Sequence, residues 1–392
     1  MPSIRIICVA LSLSLAFLAA CDRNPPSAAP AAAVPAPAPV PGHAGTVNVC
    51  NWSDYIGKDT LNAFEAKTGL QVDYCTYANN EALLERLKAS PRAYDVVFPT
   101  ATPYARDLVA DGRLAELDKR LLPNLSHLDP AILAELAESD PGNAHLIPYM
   151  WGTTGLGVNV DRVRAALGPS APLDSWGLLF NPANAAKLSK CGIGVLESSL
   201  DSVPPALFWK GMDPRDFSDG ANDTVHAIYD AIRPHIRKFE NGNDLIAGLA
   251  NGNYCLVLTY SGDVRQARAR AAEQAAKTGG KAPDIRYVIP REGAIRWIDT
   301  IAIPKDAPHP EAALRFMNYL MEPAVIALIS DEVAYANANA AATPLVDKAI
   351  AGDPGIYPPA AVRAKLVNAG RPDEAQAKAR ARVWDLIVYG SL

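Results

Sequence analysis

Three short stretches of the chain set an aromatic ring and a carboxylate within a few residues of each other. They are Trp52, Asp54 and Tyr55 in VCNWSDYIG, Tyr260 with Asp263 in TYSGD, and Trp297 with Asp299 in RWIDT. Aromatic faces attract organic cations while covering their methylenes. Carboxylates take up the charged hydrogen bonds of an ammonium. The recurring pair therefore suits an organic amine. Each residue also has a plainer reading. Asp263 follows Gly262 where a helix opens and could be its N-cap, and Asp54 could cap a turn after the first strand. Trp297 alternates with Ile298 at strand spacing, so one of the two faces a core. Tyr260 at a strand end could be packing.

Other chemistry is poorly represented. The sequence has no GxSxG elbow, no phosphate-binding Walker loop, no complete GxGxxG and no HExxH. His43, His127, His145, His226, His235 and His309 stand apart, without metal-ligand spacing. Neither an enzyme nor a metal or other cofactor is expected. A formal charge of -5 argues against nucleic acid as a partner and permits a cationic one.

The elements that must position these residues alternate between strand and helix. TVNVC, LQVDYC and YDVVF read as strands, separated by the helical patterns KDTLNAFEAKTG and NEALLERLKA. Asp59 or Thr60 caps the first helix and Gly69 ends it. This is a doubly wound α/β pattern with a parallel sheet, whose ligands bind beyond the carboxyl ends of the strands. Here those ends are CNWSDY, CTYANN and FPTATPY. HLIPYMWGTTGLGVN, dense in Gly, Thr and Pro, suggests a crossing between two lobes, and 392 residues suffice for two. CGIGVLESSLDS belongs to a second α/β region beyond this crossing, and NYCLVLTY, DIRYVIP and WIDTIAIP are further strands. DVRQARARAAEQAAK is a basic helix with a solvated face, and PEAALRFMNYLMEPAVIALI sends Leu314, Phe316, Leu320 and Ile326 into a core. No internal repeat is evident.

The first 21 residues have one basic residue, a short apolar run and small residues before Cys21, the composition of an export signal. LAAC resembles a bacterial lipobox with Cys21 lipidated, the alternative being plain cleavage near Ala20. Asp22 resembles an inner-membrane retention signal. Residues 22–45, rich in Pro and Ala, read as a tether. An exported chain is oxidised, so Cys50, Cys75, Cys191 and Cys255 read as disulfides. Cys50 and Cys75 each end a strand pattern in one βαβ unit, and the favoured pairs are Cys50 with Cys75 and Cys191 with Cys255.

NWSDYI, FPTATPY, IPYMWGTTGLGVNVDRV, CGIGVLE, NGNYCLVLTYSGDV and DEVAYANANAAATPL resemble, in the same order, segments of the putrescine-binding periplasmic proteins, the solute-binding subunits of polyamine ABC transporters. The resemblance runs from about residue 46 to about residue 370 and implies an α/β, two-lobed periplasmic binding protein of type II, with the ligand in an interlobe cleft. The expected lobes are residues 46–148 with 280–332, and 149–279 with 333–392. Carried over residue by residue, Trp52, Ser53, Asp54 and Tyr55 form the first cleft loop, and Thr100 stands where the family often has Ser. Asp201 falls at or near a Glu position, Tyr260 replaces a Trp, and Asp263 matches an Asp. Trp297 stands where putrescine binders tend to have Phe and spermidine binders Trp. Asp299 matches the main carboxylate for one ammonium, and Tyr335 an aromatic. The resemblance also implies the Cys191–Cys255 bond, whereas Cys50 and Cys75 are additions. It implies a monomer that takes putrescine, then spermidine, then agmatine or cadaverine in order of preference, and hands it to an ABC permease; the lipid anchor to the membrane read from LAAC departs from the family's freely diffusing form. A polyamine sensor that engages a regulatory membrane protein is the rival.

Overall fold

The computed structural model describes residues 45–390. The export signal, Cys21 and nearly all of the tether lie outside them.

The chain opens with the expected alternation. Strand β1 (Thr46–Trp52) is followed by the helix Thr60–Thr68, β2 (Gln71–Tyr77), the helix Asn80–Ala89 and the short β3 (Val96–Val97). Gly69 ends the first helix at φ 73°, a left-handed conformation that costs glycine little. Asp59 precedes that helix without a side-chain cap bond, whereas the Asn79 side chain accepts from the Ala82 N–H to start the second. β1 and β2 pair in parallel with Cys50 opposite Cys75, and the two sulfurs are bonded.

The remaining strands are β4 (Leu146–Asn159), β5 (Ile193–Leu196), β6 (Lys238–Glu240), β7 (Leu256–Tyr260), β8 (Ile285–Val288), β9 (Ala294–Ala302), β10 (Ala336–Asn337) and β11 (Leu366–Val367). Their main order is β2-β1-β3-β9-β4-β7-β5-β6, with β8 and β10 on β4 and β11 on β9. β4 is the spine. All 14 of its residues are buried. Its first half, with Thr153, pairs with β9, and from Thr154 onward it pairs with β7 and β8. The Gly- and Thr-rich stretch that read as a crossing is thus one continuous strand shared by both lobes. Cys191 and Cys255, ahead of β5 and β7, form the second disulfide.

Two hydrophobic cores flank this spine. Phe64, Leu83, Phe98, Tyr149 and Phe316 belong to the first, and Trp176, Phe180, Leu207, Tyr229 and Trp384 to the second. The cores divide the chain differently from the expected lobe limits. Ile285, Ala294 and Ile295 pack in the second core, and Val333 through Ile356 in the first. The reason is strand pairing: β10 lies antiparallel against Met150 and Trp151 in the first half of β4, while β8 pairs with its second half. The chain therefore passes between cores near residues 152–155, 296–297 and 357–365.

Leu314, Phe316, Leu320 and Ile326 are buried in the first core as the helical periodicity required. No single described helix is long and apolar enough to cross a membrane; the bent pair Pro310–Leu320 and Pro323–Val333 passes on length and composition together, and its apolar faces are occupied by this core. Phe316 is fully buried and meets the edge of Phe64 at 5.0 Å. Truncation to alanine leaves a cavity where the helix meets the sheet, so Phe316→Ala is expected to cost about 3–5 kcal/mol, read as a lowered urea midpoint.

Candidate functional site

The crossing strands and the loops around them gather the acids that the sequence scatters. Asp299 lies in β9, bridged to Thr100. Its Oδ1 accepts from Thr100 Oγ1 at 2.6 Å, and its Oδ2 from the Tyr55 hydroxyl at 2.9 Å. Asp263 stands in the first turn of the helix Ser261–Thr278 and does not cap it; Tyr260 is the N-cap residue. Asp263 instead accepts from Tyr335 at 2.7 Å and from Thr259 Oγ1 at 3.0 Å. Asp201, at the start of the helix Ser199–Lys210, accepts from Ser198 at 2.7 Å, Tyr260 at 2.8 Å and Thr154 at 3.0 Å.

Aromatic rings connect the three carboxylates. Tyr260, Trp297, Tyr335 and Tyr55 follow one another at centroid distances of 5.6, 5.3 and 5.4 Å, each pair close to edge-on. Two glycines make room. A Cβ on Gly152 would stand 2.4 Å from the Trp297 ring, and one on Gly262 2.5 Å from Tyr335.

The electrostatics are unusual because every donor named above is a neutral hydroxyl. None of the three carboxylates forms an ion pair with a Lys, Arg or His among the described residues, whose ion pairs lie elsewhere, such as Arg270 with Asp54. Burial pushes Asp299 up to about 7 and Asp263 up to about 6, and raises Asp201, with hydroxyl hydrogen bonds pulling each of them back. The charge of Asp201 adds to the rise at Asp263 and Asp299, while Arg270 lowers Asp263. Tyr55, Tyr260 and Tyr335 are raised well above their usual value by burial, so their hydroxyls stay protonated and can only donate to the acids. Carboxylates withdrawn from water without a counter-charge are costly. The arrangement can accept positively charged hydrogen-bond donors of modest width between aromatic faces. No group of acids, histidines and cysteines suited to a metal ion occurs among the described residues.

The structure thus brings together Tyr55, Thr100, Asp201, Tyr260, Asp263, Trp297, Asp299 and Tyr335. Trp52 lies beside them, tilted on Tyr77 at 5.0 Å, its indole N–H donating to the Phe98 carbonyl at 2.7 Å. Ser53 is half-buried. Asp54 is outside the cluster: its φ is 54°, its side chain is 63% exposed, and it faces Arg270 at 3.7 Å. Thr154, Ser198, Thr259, Gly152 and Arg270 were not singled out from the sequence. Ser198, three residues before Asp201, carried a local signal; the others carried none.

Residues 59–358 match the family model described as bacterial extracellular solute-binding protein. The chain is 43% identical over 344 residues to the putrescine-binding periplasmic protein SpuD of Pseudomonas aeruginosa (strain UCBPP-PA14), covering 88% of this chain and 92% of that one. It is 42% identical over 350 residues to the putrescine-binding periplasmic protein PotF of Escherichia coli (strain K12), with the same coverage. In fold it is similar to a solved structure described as a putative spermidine/putrescine ABC transporter from Listeria monocytogenes, with a TM-score of 0.75 at 24% identity over 89% of this chain and 100% of that one.

Two measurements check the site's physics without a ligand. The folded state holds a proton on Asp299 that the unfolded chain releases above its ordinary carboxylate range. Stability from this group is full at about pH 4 and is lost as pH rises towards about 7. Melting temperature is expected to fall over that window, and Asp299→Asn, which cannot ionise, to flatten the fall. Gly152→Ala drives a methyl into the Trp297 ring and is expected to cost about 1–3 kcal/mol, read in thermal melts with a change in tryptophan fluorescence.

Proposed function

The chain belongs to the bacterial extracellular solute-binding protein family, and from that membership we propose that it captures a linear polyamine, putrescine first, and delivers it to an ABC permease. The observation that carries this reading is the trio Asp201, Asp263 and Asp299, hydrogen-bonded among the described residues only to hydroxyls and interleaved with Tyr260, Trp297, Tyr335 and Tyr55. A primary ammonium supplies the counter-charge these acids lack, and the rings cover the methylenes between two ammoniums. In this reading Asp299 and Asp263 hold one ammonium and Asp201 lies near the other. Ser53 and Asp54 stand at the rim, the latter tied to Arg270 of the opposite lobe. Binding is capture, with no bond made or broken in the ligand.

Spermidine and agmatine are the nearest alternatives within this class, because Trp297 offers a wider face than Phe. The protein acts outside the cytoplasm. Its attachment rests on LAAC ending at Cys21, followed by Asp22, which we read as a lipid anchor on the inner membrane, with residues 22–45 as the tether.

Placing an ammonium beside Asp299 favours its ionised form, so binding near neutral pH expels protons and weakens as pH falls below about 7. Titration calorimetry in buffers of different ionisation enthalpy is expected to show that release. A thermal-shift panel of polyamines tests the class directly, because a ligand that binds only the folded state raises its stability with concentration. Absence of a shift with every diamine and triamine would sink the reading. Asp299→Ala leaves an ammonium desolvated without its acid and is expected to cost about 2–5 kcal/mol of binding. Wild-type affinity in that variant would remove Asp299 from the site.

A further inference from the structure

A primary ammonium carries three N–H donors and no acceptor. Held between Asp299 and Asp263 it meets two carboxylates, and its third N–H needs an oxygen of its own. The hydroxyls that touch these acids already turn their protons towards them. Tyr55 and Thr100 donate to Asp299, and Tyr335 and Thr259 donate to Asp263. One more hydroxyl stands among these residues without any bond.

It belongs to Ser261, the first residue of the helix Ser261–Thr278. The residue is 1% exposed, and its Oγ is buried with no hydrogen-bond partner among the described residues. A serine in such a place ordinarily bonds a nearby backbone group, and leaving a buried hydroxyl unbonded is costly. Its position is fixed from two sides. Asp263 follows two residues later in the same helical turn. A Cβ on Gly152 would stand 3.0 Å from Ser261 Oγ and 2.4 Å from the Trp297 ring, so the hydroxyl lies beside the indole. Asp299 stands two residues beyond Trp297 on the same face of β9. The indole N–H of Trp297 is also buried without a partner, but it can only donate and has nothing to offer an ammonium. Ser261 Oγ has a free lone pair.

We propose that Ser261 Oγ accepts the third N–H of the ammonium that Asp299 and Asp263 hold, so that this end of the cage selects an unsubstituted primary ammonium. The proposal rests on the polyamine reading of the cage and adds to it a residue that sets the class of nitrogen taken. Two carboxylates need only a positive charge and two N–H groups, and a secondary ammonium supplies both. A methyl on the nitrogen removes the remaining donor and leaves Ser261 unbonded again. The hydroxyl therefore distinguishes what the acids alone do not.

Titration calorimetry on the full chain tests this with putrescine and with N,N′-dimethylputrescine, whose nitrogens each carry one N–H fewer, in the wild type and in Ser261→Ala. The wild type is expected to bind the dimethylated amine about tenfold or more weakly than putrescine. Ser261→Ala is expected to bind putrescine about tenfold more weakly than the wild type does, the scale of one hydrogen bond to a charged group. The two losses share one interaction and are expected not to add, so that in the variant the two amines differ by less than about threefold. The unliganded variant is expected to melt at or above the wild-type temperature, because the unbonded hydroxyl is gone. Wild-type affinity for putrescine in the folded variant overturns the proposal. So does an equal loss for both amines, which marks a hydroxyl that props the cage and does not meet the third N–H. Where the variant does not fold, the wild type decides alone: equal affinity for the two amines overturns the proposal, and a tenfold preference for putrescine supports it. Each overturning outcome leaves the polyamine reading intact, whereas a wild type that binds neither amine removes that reading and this proposal with it.

Discussion

Three carboxylates drawn away from water, with no basic side chain bonded to any of them among the described residues, are the constraint around which the cleft is organised. A buried acid normally recovers its lost hydration from a lysine or arginine. Here Asp201, Asp263 and Asp299 recover part of it from tyrosine, threonine and serine hydroxyls, which stabilise negative charge without cancelling it. The fold therefore carries a cost that a positive charge placed beside these acids would relieve. Raised carboxyl pKa values are the visible sign of that cost, and burial is its largest cause.

The spine of the fold makes such a cluster possible. β4 is fully buried along its length and gives its first half to one lobe and its second to the other. β9 accompanies it across the same boundary and carries Trp297 and Asp299 at the crossing. A side chain placed where two rigid cores meet is held by both. Tyr335 and Tyr260 approach from different lobes, and glycine at 152 and 262 lets the rings sit against backbone where any methyl would intrude. The Cys50–Cys75 bond adds a covalent tie between neighbouring strands just before the first cleft loop.

Arg270 stands at one flank of the cage, tying Asp54 of one lobe to a helix of the other while its charge reaches Asp263.

The alternation of strands and helices, the amphipathic helices that bury Phe316 and Ile326, and the pairing of Cys50 with Cys75 were all legible in the sequence. They depend on periodicity and on neighbours within one βαβ unit, and such information is local. The aromatic and acid pairs were legible as residue types, and the resemblance of the surrounding segments indicated their use. What the sequence left open was the part each pair plays. Asp263 reads equally well as a helix cap, and only Tyr335, 72 residues away, draws it into the cage. Asp54 and Asp299 look alike in the sequence, yet one points to solvent beside Arg270 and the other is buried under Tyr55. The limits of the lobes moved for the same reason, since β10 chooses its partner in β4 across the fold. Tertiary structure decided these matters because charge, burial and shape at the cleft arise from contacts between segments as far apart as Tyr55 and Asp299, 244 positions along the chain.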